Sequence, residues 1–114
     1  VMEIATLNYG TLTSTSGMLG NEDELRVSAF LEAGDAGGPV LDDRGAVLGM
    51  QLIKGADSSK LPEYVNFAIK SDRIMQFLER HQLVYGRSDA FDSVDPEDLA
   101  FMAGDFTVKV SCWK

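Results

Sequence analysis

The sequence is poor in the residues that build disulfides, metal centres and nucleic-acid surfaces. Cys112 is its one cysteine and His81 its one histidine. A lone cysteine cannot close a disulfide within the chain, and zinc sites built from paired cysteines are excluded with it. Basic residues are scarce: ten Lys and Arg stand against eighteen Asp and Glu, a net charge of −8. A phosphate backbone is repelled by such a chain, and no basic stripe offsets the repulsion, so no nucleic-acid partner is expected. The acidic excess reads as solubility. No run of about 18 apolar residues occurs, so nothing reads as a membrane span. No basic start followed by an apolar core and a small-residue cleavage site is present, so no signal peptide is read. The chain begins at Val1 and reads as a processed or excised piece of a parent protein. Periplasm and cytoplasm both stay open as compartments.

What is present is strand-forming. The hydrophobic fraction of 45% suits a globular domain of 114 residues. Thr6 to Thr15 reads as a strand bent at Gly10. Leu25, Val27 and Ala29 alternate with Arg26 and Ser28, which predicts a second strand over Leu25 to Leu31. Between them, Ser16 to Glu24 is a loop whose acids Glu22, Asp23 and Glu24 are expected to face solvent. Val40-Leu41, the turn Asp42-Asp43-Arg44-Gly45 and Ala46 to Ile53 form a hairpin with Gly45 at positive φ. Val65, Phe67 and Ile69 alternate with polar or small neighbours and give a further strand. Ser71 is expected to cap a helix with Asp72 in its first turn and Ile74, Phe77 and Leu78 on one stripe, ending near His81 to Leu83. Asp95-Pro96 opens a short helix to about Ala103, and Phe106, Val108, Val110 and Cys112 alternate as a last strand. The chain is thus expected to be mainly all-β with one or two short helices near its C-terminus.

The glycine-dense segment Gly34-Asp35-Ala36-Gly37-Gly38-Pro39-Val40 carries the chemistry. An oxyanion hole needs two backbone N–H groups that converge on one point, and the turn that achieves this demands backbone angles glycine tolerates. With serine in place of Ala36 the segment resembles the nucleophile signature of trypsin-like and HtrA-like serine peptidases. A Gly-x-Ser-x-Gly string also suits the nucleophile elbow of an α/β-hydrolase, but that elbow runs strand, turn, helix, whereas Pro39-Val40-Leu41 leads into a hairpin. Val40 to Gly49 resembles the hairpin that follows the peptidase nucleophile. Val65-Asn66-Phe67-Ala68-Ile69-Lys70 resembles the late strand of the bacterial members, and Thr11 to Ser16 the strand before the nucleophile loop. Together the resemblance covers Tyr9 to Leu78.

The resemblance implies a C-terminal six-stranded antiparallel β-barrel of the chymotrypsin-like fold over residues 1–86, with residues 87–114 an extension packing on it. It implies a serine endopeptidase, a hydrolase without cofactor or metal that acts on a polypeptide substrate. Ala36 would hold the nucleophile position, with Gly34, Asp35 and Ala36 as the oxyanion loop and the amides of Gly34 and Ala36 as its donors. Gly37 would leave room for substrate. Met50, Gln51 and Leu52 would lie along a strand whose free edge pairs with substrate backbone. Phe30 would lie near the base of the specificity pocket and Phe67 at its wall.

Two departures from the family pattern are plain. The triad order in this family is His, Asp, Ser, yet no histidine precedes Ala36. The base and its orienting acid are expected on an upstream lobe that this chain does not contain. Alanine cannot attack a carbonyl, so the chain as written is inactive, either because serine was replaced or through natural loss in a pseudo-peptidase. A non-catalytic peptide-binding module is the alternative reading. Self-association through the surface that the upstream lobe would cover is a third. His81 reads as a helix C-terminal residue and Cys112 as a core residue.

Overall fold

A computed structural model describes residues 7–29, 36–52, 65–87 and 92–107. These residues form one five-stranded, wholly antiparallel sheet followed by two helices. The strands are β1 (Leu12–Ser14), β2 (Glu24–Val27), β3 (Pro39–Leu41), β4 (Val47–Gln51) and β5 (Asn66–Lys70), in the spatial order β1-β2-β5-β4-β3. β3, β4 and β5 form a meander, and β2 returns to lie beside β5. That arrangement is a Greek key, and its crossing connection is the stretch between β2 and β3. The glycine-rich motif lies on this connection.

The register divides the sheet into two faces. Leu25 pairs with Ala68, Val27 with Asn66, and Gln51 with Ala68, so these five share one face. Leu25, Val27, Asn66 and Ala68 are buried, at 7%, 6%, 1% and 0% exposure. Phe67, Ile69 and Met50 lie on the opposite face. The apolar alternation of Val65, Phe67 and Ile69 therefore locates β5 but marks the less buried side, while Asn66 and Ala68 supply the buried one.

Local chemistry sets the connections. The β3–β4 turn is held by Asp42, whose Oδ1 accepts the amides of Arg44 and Ala46, each at 2.9 Å. Gly45 takes φ +85° there, as its place in the turn predicts. In the β1–β2 loop, Met18–Gly20 make a single 3₁₀ turn, and Glu24 accepts from the Met18 amide and the Asn21 side chain. Asp23 meets Arg73 of the following helix at 3.7 Å. No group of three or more metal-binding side chains converges among the described residues, the acids of this loop included.

Helix α1 (Ser71–Arg80) follows β5 without a break. Its cap is Lys70 rather than Ser71, and no side chain caps it. His81 closes it, with its ring 4.5 Å from that of Phe77. Helix α2 (Pro96–Phe106) starts at the Asp95-Pro96 cap and runs past Ala103, so Phe106 is helical and does not open a strand. Val108, Val110 and Cys112 lie outside the described residues. The Val94 amide donates to the Asp43 carbonyl at 2.7 Å, and Leu99, at 9% exposure, is the buried residue of α2. No helix among the described residues is long and apolar enough to cross a membrane.

The first strand is shorter than its sequence pattern. β1 spans Leu12–Ser14, and its irregularity lies between Leu12 and Ser14, not at Gly10. Gly10 instead sits against the backbone of Ala29, where any Cβ would overlap. β2 ends at Val27, short of the expected Leu31. The two edge strands, β1 and β3, both line one cavity of about 300 Å³, together with Leu7 to Thr11, Gln51, Val94 and Leu99. The sheet is thus curled, with its edges brought toward a common space.

Candidate functional site

The site is built where the crossing connection rejoins the sheet. Ala36 and Gly37 form an exposed turn, and Gly38 leads directly into β3. The Gly37 amide donates to the Gln51 carbonyl at 2.8 Å, and the Gln51 amide donates to the Gly38 carbonyl at 2.9 Å. One residue at the end of β4 thus fixes two residues of the motif. Gly37 holds φ +87°, a conformation that side chains disfavour. Among the described residues no atom lies within 4 Å of where its Cβ would be, and the positive φ is what calls for the glycine. Ala36 stands in solvent, one residue before this fixed point.

The other end of the connection is also tied. Asn66, at the start of β5, donates its Nδ2 to the carbonyl of Ala29 at 2.6 Å. Ala29 lies just beyond the end of β2, where the chain departs toward the motif. Sequence reasoning missed Asn66. Its one available signal was an amide side chain directly before Phe-Ala-Ile at the start of the strand.

The expected site residues fall into three groups. Gly34, Asp35 and Phe30 lie outside the described residues, so of the expected oxyanion donors only the amide of Ala36 has a described position. Gly37 lies beside Ala36 on a turn whose outer side is open. Met50, Gln51, Leu52 and Phe67 are near one another on β4 and β5 but do not share a face. The Leu52 amide donates to the Phe67 carbonyl at 3.0 Å, which continues the β4–β5 register and sets Leu52 and Phe67 on the Met50 side. Gln51 lies on the opposite, buried face with Ala68.

The free edge expected along Met50 to Leu52 is absent. β4 is an interior strand, paired with β3 on one side and β5 on the other. The Gln51 amide is taken by Gly38 and the Leu52 amide by Phe67. A peptide cannot pair with amides already bonded within the sheet. What these residues offer instead is side chains, Met50 at 38% exposure among them.

Chemically, the described turn presents an amide and an open surface, but no nucleophile. Its methyl group is inert, and the histidine of the chain is committed to the end of α1 beside Phe77.

No protein-family model matches the chain, and no solved structure matches it. Among curated proteins, the uncharacterized protein y4bJ of Sinorhizobium fredii is 33% identical over 114 residues, an alignment covering 90% of this chain and 17% of that protein. The chain spans about a sixth of the length of the curated relative it matches.

Proposed function

We propose that this chain is the nucleophile-bearing lobe of a bacterial trypsin-like serine endopeptidase, disarmed by alanine at position 36. The observation that carries this reading is the seating of the Ala36-Gly37-Gly38 turn. It lies on the crossing connection of an antiparallel Greek key, with Gly37 at positive φ and both Gly37 and Gly38 bonded to the end of β4. The chain continues from Pro39 into a strand, not into a helix, and this favours a β-barrel peptidase over an α/β-hydrolase elbow. The curled sheet, with both edges on one cavity, is compatible with closure by a sixth strand into a barrel.

In this reading a serine at position 36 attacks the scissile carbonyl. A histidine of an upstream lobe takes its proton, an aspartate orients that histidine, and main-chain amides of the turn hold the oxyanion. Each such donor is worth about 10²–10³ in rate. The substrate is a polypeptide, and no cofactor takes part. Because the amides of Gln51 and Leu52 are already bonded, neither pairs with substrate backbone in this reading. As it stands, with alanine, the lobe holds a peptide without cutting it, and the alternative of a dedicated peptide-binding module rests on the same turn.

The test is covalent. The protein carrying Ala36→Ser, with its upstream lobe present, is treated with a fluorophosphonate probe. Labelling confined to the Ala36→Ser protein is expected. Absence of labelling in that folded, assembled protein would overturn the peptidase reading.

A further inference from the structure

We propose that the space between the sheet and α2 is a binding site for a small, neutral, apolar molecule. The proposal is independent of the peptidase reading, since it uses neither Ala36 nor the turn that carries it.

The cavity of about 300 Å³ has two walls. The sheet supplies Leu12, Val27 and Val40, with Leu12 and Val27 paired across β1 and β2. Val94, on the approach to α2, and Leu99, within the helix, supply the other. Protein interiors hold few voids larger than a water molecule, so a space of this size is one that the described side chains do not fill. Organic ligands occupy pockets from about 300 Å³ upward. A dry cavity of about 150 Å³ takes benzene, so this one suits a molecule about twice that size, of roughly ten to twelve non-hydrogen atoms.

The polar groups beside the cavity set the chemistry of the occupant. Ordered water needs two to four polar partners. Here several of the groups that line the space are spent within the chain. The Thr11 amide donates to Ser28 Oγ at 2.8 Å, and the Thr11 carbonyl accepts the Ser28 amide at 3.0 Å. Asp42 Oδ1 accepts the amides of Arg44 and Ala46. The main-chain groups of Gln51 are bonded to Gly37 and Gly38. Its Oε1 is shut off from solvent and has no hydrogen-bond partner among the described residues. Water is therefore poorly held, and an apolar molecule displaces it at little cost. Charge narrows the class further. Asp42 and Asp43 both line the cavity, and no lysine or arginine is among its described lining residues. An anion such as a fatty acid is repelled, and a cation would lose its hydration against apolar walls. A neutral molecule meets neither penalty.

The helix is the wall that moves. Among the described residues, α2 and its approach are seated by the Val94 amide on the Asp43 carbonyl at 2.7 Å, by buried Leu99, and by Met102. A Cβ at Gly45 would stand 2.9 Å from the Met102 methyl, so the glycine of the β3–β4 turn also makes room for this contact. An element held by few apolar contacts opens before the core does. A ligand thus enters by displacement of α2, with the β2–β5 ladder intact.

The experiment titrates the unaltered protein with 2-naphthol, which is neutral at pH 7, and with naphthalene-2-sulfonate, which carries the same rings and a negative charge. Amide NMR spectra locate the binding. With 2-naphthol, saturable shifts are expected at Leu12, Val27, Val40 and Leu99, while the amides of α1 stay in place. The sulfonate should bind at least about 10-fold more weakly. Val94→Trp, which fills the space from the α2 side, should weaken 2-naphthol binding by about 10-fold or more. Absence of saturable shifts would mean that the chain itself or water fills the space, and would overturn the proposal. Shifts centred on exposed Phe77 and Val84 would overturn it as well, and so would equal binding of the sulfonate. Undiminished binding by folded Val94→Trp would do the same. Should Val94→Trp not fold, the shift map of the unaltered protein decides. None of these results depends on whether Ala36→Ser labels, so this site and the peptidase reading fail separately.

Discussion

Gly37 donates its amide to the carbonyl of Gln51 at 2.8 Å while holding φ at +87°. The two facts are coupled, because the positive φ turns the chain so that this amide meets the end of β4 just before Gly38 enters β3. A Cβ at Gly37 would meet no atom of the described residues, so Gly37→Ala tests backbone strain. Left-handed backbone costs a side-chain-bearing residue about 1–2 kcal/mol, and Gly37→Ala should lower unfolding stability by that amount. In the Ala36→Ser protein the same change should slow fluorophosphonate labelling by more than the stability loss explains, read as labelling rate against urea midpoint.

Gly49 is required for a different reason. It pairs with Val40 on β3 and Lys70 on β5, and a Cβ there would overlap the carbonyl oxygen of Ile69. That obstacle is backbone and cannot swing aside, so β4 and β5 would have to separate. Gly49→Ala is expected to cost about 2–4 kcal/mol and to lower the urea midpoint more than Gly37→Ala does.

Asp42 organises the β3–β4 turn through neutral geometry more than through charge. Its Oδ1 accepts two amides, whereas its ion pair with Arg44 is long at 3.6 Å and the arginine is half exposed. Asp42→Ala should destabilise by about 1–2 kcal/mol, since both amides lose their acceptor. Asp42→Asn keeps an oxygen in place and should lose less than half of that, because exposed ion pairs contribute little. Urea titrations of the two variants, with and without 0.5 M salt (roughly a 4 Å screening length), separate the two contributions.

These residues show what local chemistry makes legible and what it hides. The β3–β4 hairpin, both helices and the strand at β5 follow from patterns within a few residues: Asp-Asp-Arg-Gly at a turn, Asp-Pro at a helix start, alternation along Val65 to Ile69. Faces and edges are decided by partners far away in sequence. The alternation of β5 could not tell that Asn66 and Ala68 face the core, because the side of Phe67 and Ile69 is apolar as well. Nor could the run Met50-Gln51-Leu52 tell that β4 is flanked on both sides, by β3 and by β5 of the meander. The motif announced the turn at Ala36 because its glycines are dictated by backbone angles. Asn66 escaped notice because its bond to Ala29 spans 37 residues and leaves no local trace.

The attachment of α2 gives the last prediction. Leu99 is the buried residue of that helix and lines the cavity between the sheet edges, while the Val94 amide ties the approach to α2 to the Asp43 carbonyl. Leu99→Ala removes the apolar contact and leaves the backbone tie. The loss should fall in the range for a buried leucine, about 2–5 kcal/mol. If α2 only decorates the sheet, the loss will appear locally: amides of α2 exchange faster while those of β2 and β5 keep their protection. If α2 is part of the same cooperative unit, all will rise together and the urea midpoint will fall. Phe101, at 75% exposure on the same helix, is the control, and Phe101→Ala should stay within about 0.5 kcal/mol of the unaltered protein. A loss at Phe101 as large as at Leu99 would mean that the outer face of α2 is buried in solution, and that the helix is held by contacts other than Leu99.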